Sequence, residues 1–155
     1  MNNFYFDLLK EWCDSLVDLQ ILEHKRPELY GGILCPSCAR VHGRCGDAVY
    51  PLTYLTDVTK DTKYLDCAKR LFDWSETMAR PGGEYINDTN STWNGITVFA
   101  SIQLGEALLY HGKILDAVTK EKWSARLRKA ADFLSCTPPD SNWLPEPSEG
   151  SALSK

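Results

Sequence analysis

Segments with helical periodicity alternate along this 155-residue chain between two kinds, one with a polar face and one with almost none. From Phe6 to Ile21, Leu8, Leu9, Trp12, Leu16 and Leu19 recur at three- and four-residue steps, with Asp7, Lys10, Glu11, Asp14 and Asp18 between them. From about Asp47 to Thr59, Ala48, Val49, Tyr50, Leu52, Tyr54, Leu55 and Val58 leave little polar surface, and Pro51 is tolerated because it falls near the first turn. A third helix starts after Asp61, a residue suited to capping, and sets Tyr64, Ala68, Leu71, Phe72, Ser75 and Met78 opposite Asp66, Lys69, Arg70, Asp73 and Glu76. The fourth, about Thr92 to Tyr110, is apolar nearly all round, and the fifth, about Leu115 to Cys136, is amphipathic again.

A helix wet on one side belongs outside and a helix dry all round belongs inside, so the alternation predicts two concentric helical layers. Inner-to-outer links such as Lys60-Asp61 and Gly112-Lys113 are short, while outer-to-inner links at 24–46, 80–91 and 137 onward are long. All the long loops are therefore expected on one rim. Residues 63–74 fall in phase over residues 122–133 at a shift of 59, which also superposes Gly83-Glu84-Tyr85 on Asn142-Trp143-Leu144. The domain reading is about two and a half helical hairpins over residues 1–136. Residues 137–155 read as a rim loop and a truncated lead-in to the next inner helix.

Seventeen basic against twenty-one acidic residues give a net charge of −4, with no basic run interleaved with aromatics. Nucleic acid is excluded as the expected partner. No stretch approaches 18 apolar residues, and Met1-Asn2-Asn3-Phe4-Tyr5-Phe6-Asp7 lacks the pattern of a secretory leader. A soluble chain is expected, with no membrane partner; a mature secreted chain would look the same, so bacterial cytoplasm and periplasm both stay open. The six cysteines need no disulfide framework in a helical chain of this length, and Cys13, Cys67 and Cys136 read as small buried hydrophobes.

The stretch from Cys35-Pro36-Ser37-Cys38 through Val41-His42-Gly43-Arg44-Cys45-Gly46-Asp47 to Leu52, followed by Asn87-Asp88 and Trp93-Asn94-Gly95-Ile96-Thr97-Val98-Phe99, resembles uncharacterised bacterial proteins of the six-hairpin glycosidase-like, (α/α)6-toroid superfamily. The resemblance covers nearly the whole chain and implies an all-α fold, an incomplete toroid of helical hairpins. It also implies part of a carbohydrate-active enzyme with a carbohydrate substrate. The main expectation is a glycoside hydrolase acting on oligosaccharides, uronic-acid-containing ones included. A polysaccharide lyase of the same fold is the alternative, and a non-catalytic helical-repeat interaction module is another. The complete barrels of that superfamily hold about twice the helices read here. The piece alone is therefore expected to be inactive, with its exposed core covered by the remaining hairpins of the parent protein or by a second copy.

On the rim, His42, Arg44 and Asp47 bring a base, a fixed cation and a carboxylate within six positions. Asp47 is read either as a helix cap or as a cleft carboxylate acting as general acid, base or sugar-hydroxyl acceptor. Arg44 is either a surface ion-pair residue or the group that holds a substrate carboxylate. His42 is either a structural hydrogen-bonding residue or a catalyst. Asp88 either braces a turn or supplies the second carboxylate that glycoside hydrolysis needs. Trp93 reads as core or as a stacking face for a sugar ring, and Asn94 as a cap or a hydroxyl ligand. Trp143, Glu146 and Glu149 are weaker candidates in the third rim loop. No cofactor is required, and the loop cysteines read in the first place as free thiols. The alternative is a metal set of Cys35, Cys38, His42 and Cys45, since C-x2-C-x3-H-x2-C holds the ligand types of structural zinc.

Overall fold

The computed structural model describes residues 3–23, 25–88 and 93–136. Within them the chain is all-α, with helices α1 (Phe4–Asp18), α2 (Val49–Thr59), α3 (Thr62–Ser75), α4 (Ile96–His111) and α5 (Ala117–Cys136). The reading of residues 137–155 as a rim loop lies outside the described residues.

The helix boundaries follow from local chemistry. Pro51 occupies the first turn of α2, where a missing N–H removes no intrahelical bond. At its other end Lys60 turns left-handed, φ 62°, and its N–H returns to the Thr56 carbonyl. Asp61 then caps α3 by accepting from the Lys63 N–H at 3.1 Å, so two helices reverse across two residues.

Packing follows the two-layer expectation. α2 pairs with α3, α4 pairs with α5, and α2 and α4 lie side by side, with α1 against α2 and α3. The core gathers Leu52 and Leu55 from α2, Tyr64, Leu71 and Phe72 from α3, and Trp123 from α5, whose indole stacks on Phe72 at 5.3 Å between ring centres. Cys13 and Cys67 are buried as expected, but Cys136 is exposed at the last turn of α5. One expectation about α4 needs correction as well. Ile96, Thr97, Leu104, Ala107 and His111 are buried, yet Phe99, Ile102, Leu109 and Tyr110 are 42 to 73% exposed. The helix is apolar nearly all round, and among the described residues no element covers its far side.

The outer helices are braced to one another. Asp14 of α1 accepts from Lys63 Nζ at 2.8 Å and from the Tyr64 hydroxyl at 2.7 Å on α3. Asp73 and Glu76, in and just past α3, hold Lys122 at 2.6 Å and Arg126 at 2.7 Å on α5. The loops after α1 and after α3 make the same close approach. Gly31 (φ +87°) and Gly83 (φ +106°) place their backbones where a Cβ would overlap the carbonyl oxygens of Arg70 and Lys129. Those carbonyls lie 59 residues apart in sequence, the spacing of the repeat, so loop and helix recur together. Isolated bridges, Gln20 with Ile33 and Ala79 with Tyr85, close the two loop starts. No helix among the described residues is long and apolar enough to cross a membrane.

At the end opposite the long loops, buried Asp57 meets His111 Nδ1 at 2.9 Å and Lys60 and Lys113 at 3.1 Å. His111 first, and then the lysines, hold its carboxyl well below the usual carboxylate range. Asp14 and Asp116 are held down in the same sense, chiefly by Lys10 and Lys69 respectively. A carboxyl depressed in the fold contributes stability that is present above its unfolded value near 4 and lost as pH falls. Urea midpoints should therefore fall steeply below about pH 4, and Asp57→Asn should flatten that fall. Gly83→Ala, which adds both the overlap and a left-handed alanine, should cost about 2 to 3 kcal/mol in chemical denaturation; a loss within error of zero would contradict the wedge.

Candidate functional site

The first rim loop narrows to a turn. A bridge between Leu34 and Val41 closes its base, the Cys35 N–H donates to the Arg40 carbonyl at 2.8 Å, and the Ala39 N–H donates to the Cys35 carbonyl at 2.9 Å. His42 follows in extended conformation and sets its Nε2 3.0 Å from Cys38 Sγ. The ligand atoms of Cys35, Cys38 and His42 all lie within 4.8 Å of one another. The backbone N–H groups of Cys38 and Ser37 lower the Cys35 thiol pKa. His42 Nδ1 is buried and has no hydrogen-bond partner among the described residues.

Residues 43–48 wind as a 3-10 turn into α2, which separates what the sequence placed together. Cys45 is the fourth member of the metal set in sequence, but its side chain packs on the core and does not join the other three. Burial, with Asp47 and Cys67 nearby, pushes its thiol up to about 12. Asp47 lies inside the same turn, so the cap reading is corrected: α2 starts from Ala48 with no side-chain cap.

Arg44 and Asp47 do meet. Arg44 Nε and Nη2 approach one oxygen of Asp47, Oδ2, at 3.2 and 3.1 Å, and its guanidinium lies 4.7 Å from the centre of the Phe99 ring. Asp47 Oδ1 is buried without a hydrogen-bond partner among the described residues. Burial raises the Asp47 pKa, against the opposing pull of Arg44. The second rim loop is tied to this corner by Asn87, whose carbonyl accepts from the Gly43 N–H at 2.6 Å and whose side-chain oxygen accepts from the Arg44 N–H at 3.3 Å. Neither Asn87 nor Phe99 stood out in the sequence as part of a site. Both lie in the stretches that carry the family resemblance, but nothing local in the sequence sets them against Arg44.

The other candidates lie elsewhere on the rim. Asp88 lines a groove with Leu29, Arg40, Trp74 and Met78, whereas His42 and Arg44 line a neighbouring groove with Leu16, Leu19 and Cys35. Trp93 is half-buried, with its indole folded beside Gly95, and lines neither groove. Asn94 serves the start of α4 through its backbone, its carbonyl accepting from the Thr97 N–H at 3.0 Å and hydroxyl at 2.6 Å. The third rim loop, with Trp143, Glu146 and Glu149, lies outside the described residues.

An all-α scaffold whose long loops pair a cation with a half-buried carboxylate is, by itself, compatible with several carbohydrate-active classes. Residues 9–142 match the family described as the ulvan lyase N-terminal domain, and the chain belongs to that family. It is 42% identical over 134 residues to a broad-specificity ulvan lyase from Formosa agariphila, a match that takes in 85% of this chain and 21% of that protein. The chain thus spans about a fifth of the length of this curated relative. No solved structure matches. The expectation of a hydrolase or glycosidase is corrected, because the family is described as an N-terminal domain of ulvan lyases and the relative as an ulvan lyase.

A carboxyl whose pKa is raised in the fold contributes stability below its unfolded value and loses it as pH rises through the folded value. Asp47→Asn should therefore stabilise the chain at pH 7, by on the order of 1 kcal/mol, with the gain vanishing below about pH 4. Denaturant titrations at the two pH values check this; a clear loss at pH 7 would mean the Arg44 pair dominates.

Proposed function

We propose that this chain is the N-terminal helical part of a polysaccharide lyase acting on ulvan-type, uronate-bearing chains, and that its rim forms one wall of the substrate cleft. The observation that carries the reading is the 42% identity to a broad-specificity ulvan lyase across most of the chain. A lyase cuts the glycosidic bond without water: a base removes the proton next to the uronate carboxyl group, and the glycosidic oxygen leaves with a proton from an acid. The step is easier when a cation or hydrogen-bond donors neutralise the uronate carboxylate. Arg44 supplies such a cation. It is half-exposed, it sits over Phe99, and only Asp47 Oδ2 holds its guanidinium by hydrogen bonds among the described residues. A substrate carboxylate would take the place of that single oxygen with a two-pronged pair.

In this reading Asp47 holds Arg44 aimed at the cleft and carries the higher pKa of a group able to exchange protons near it. Asp88, Trp93 and Asn94 are proposed as contacts along the neighbouring part of the rim, to sugar hydroxyls and rings. His42 faces Cys38 rather than Arg44, which favours a role in holding the loop. The exposed apolar side of α4 is proposed to be covered by further helices of a longer chain, which would complete the cleft.

The test is the complete parent enzyme acting on ulvan, followed by the ultraviolet absorbance of unsaturated uronate ends. Release of unsaturated products is expected, and Arg44→Ala should lower kcat/KM by roughly 30- to 100-fold, the loss of a charge-assisted pair. Cleavage giving only saturated reducing ends would overturn the lyase reading. Unchanged kinetics in Arg44→Ala would remove Arg44 from it.

A further inference from the structure

Three soft or borderline ligand atoms converge in the first rim loop, and the Arg44 chemistry uses none of them. The chain reverses between Leu34 and Val41 so tightly that Ala39 takes a left-handed conformation, φ 53°, which a residue with a Cβ adopts only when its surroundings impose it. This curl returns the Cys38 side chain toward Cys35, points the Ser37 and Cys38 N–H groups at Cys35 Sγ, and leads His42 in from the closing strand. Atoms sharing one tetrahedral zinc stand about 3.5 to 3.8 Å apart, given bonds of about 2.3 Å to sulfur and 2.0 Å to nitrogen. The group here spans 3.0 Å, from Cys38 Sγ to His42 Nε2, to no more than 4.8 Å. Small side-chain rotations close it around an ion.

Other uses of these residues fit less well. A redox Cys-x-x-Cys pair sits at a helix N-terminus that activates the first thiol, whereas residues 36–39 form a turn with no helix behind it. The cysteines are free thiols, and the third member of the cluster is an imidazole. Two thiolates and an imidazole select zinc over the hard, oxygen-seeking calcium and magnesium. The buried Nδ1 of His42 has no partner among the described residues, so no protein acceptor turns the ring away from the cluster.

We propose that Cys35, Cys38 and His42 bind a zinc(II) ion through two thiolates and a ring nitrogen, leaving the fourth position open to solvent. Cys45, directed into the core, takes no part. Binding releases the two thiol protons and clips the tip of the loop that carries Arg44, which lines the same groove.

The test is metal analysis of the chain purified under reducing conditions. About one zinc per chain is expected, removable by chelator and restored by zinc alone. Cobalt in its place should give thiolate-to-metal charge transfer and the intense visible bands of a tetrahedral site. Cys38→Ser and His42→Ala should drop the metal to background with the helical circular dichroism unchanged, since Cys38 is exposed and His42 lies outside the helices. Cys45→Ala should keep both the metal and the cobalt spectrum. Three results would overturn the proposal: reduced wild-type protein without stoichiometric zinc, folded Cys38→Ser that retains it, or folded Cys45→Ala that loses it.

Discussion

Gly31 and Gly83 let loop backbone lie directly against the carbonyls of Arg70 and Lys129, and the geometry of the rim descends from those two approaches. Past α1 and again past α3 the chain turns, and a glycine with positive φ wedges the returning loop onto the next outer helix. The wedge fixes where these two long loops leave the outer layer. Ion pairs from Asp14 to Lys63 and from Glu76 to Arg126 then hold successive outer helices in register, and Gln20 ties Arg70 to the Gly31 carbonyl. Surface pairs of this kind contribute little individually. The effect here is positional, because the Asp14–Lys63 pair recurs 59 residues on as Asp73–Lys122.

With the outer layer fixed, the two described rim loops meet. The Gly43 N–H reaches the Asn87 carbonyl, and the corner so formed holds Arg44, Asp47 and Phe99 together while the turn at Cys35 stands beside it. A carboxylate with one buried, unpartnered oxygen next to a half-exposed arginine is a costly arrangement for stability alone. It becomes intelligible if the arginine is kept for an anionic sugar. That is the role proposed above for this rim.

Much of the architecture was legible in the sequence because it is local. Asp61 as a cap, Pro51 in a first turn and the in-phase repeat of residues 63–74 and 122–133 all depend on neighbours within a turn or two, or on a pattern that repeats. The exposed side of α4 is not legible in the sequence, because apolarity says that a helix needs cover, not what supplies it. The site was harder to read. His42, Arg44, Cys45 and Asp47 are consecutive candidates in a string of letters, but the 3-10 turn sends Cys45 to the core and stops Asp47 from capping α2. Asn87 lies 43 residues from Arg44, and no local pattern announces that contact. Carboxylate placement could not separate hydrolase from lyase, since Asp47 and Asp88 suit either reaction; what corrects the hydrolase expectation is that the matching family and relative are described as lyases.

The rim works as one wall only if its two described loops are fixed to each other rather than merely adjacent. Amide hydrogen exchange at Gly43, whose N–H is held by the Asn87 carbonyl, measures this directly. Exchange slowed to the range of the buried amides of α2 and α3 is the predicted result. Exchange at Gly43 as fast as in an exposed, unbonded loop would contradict the account.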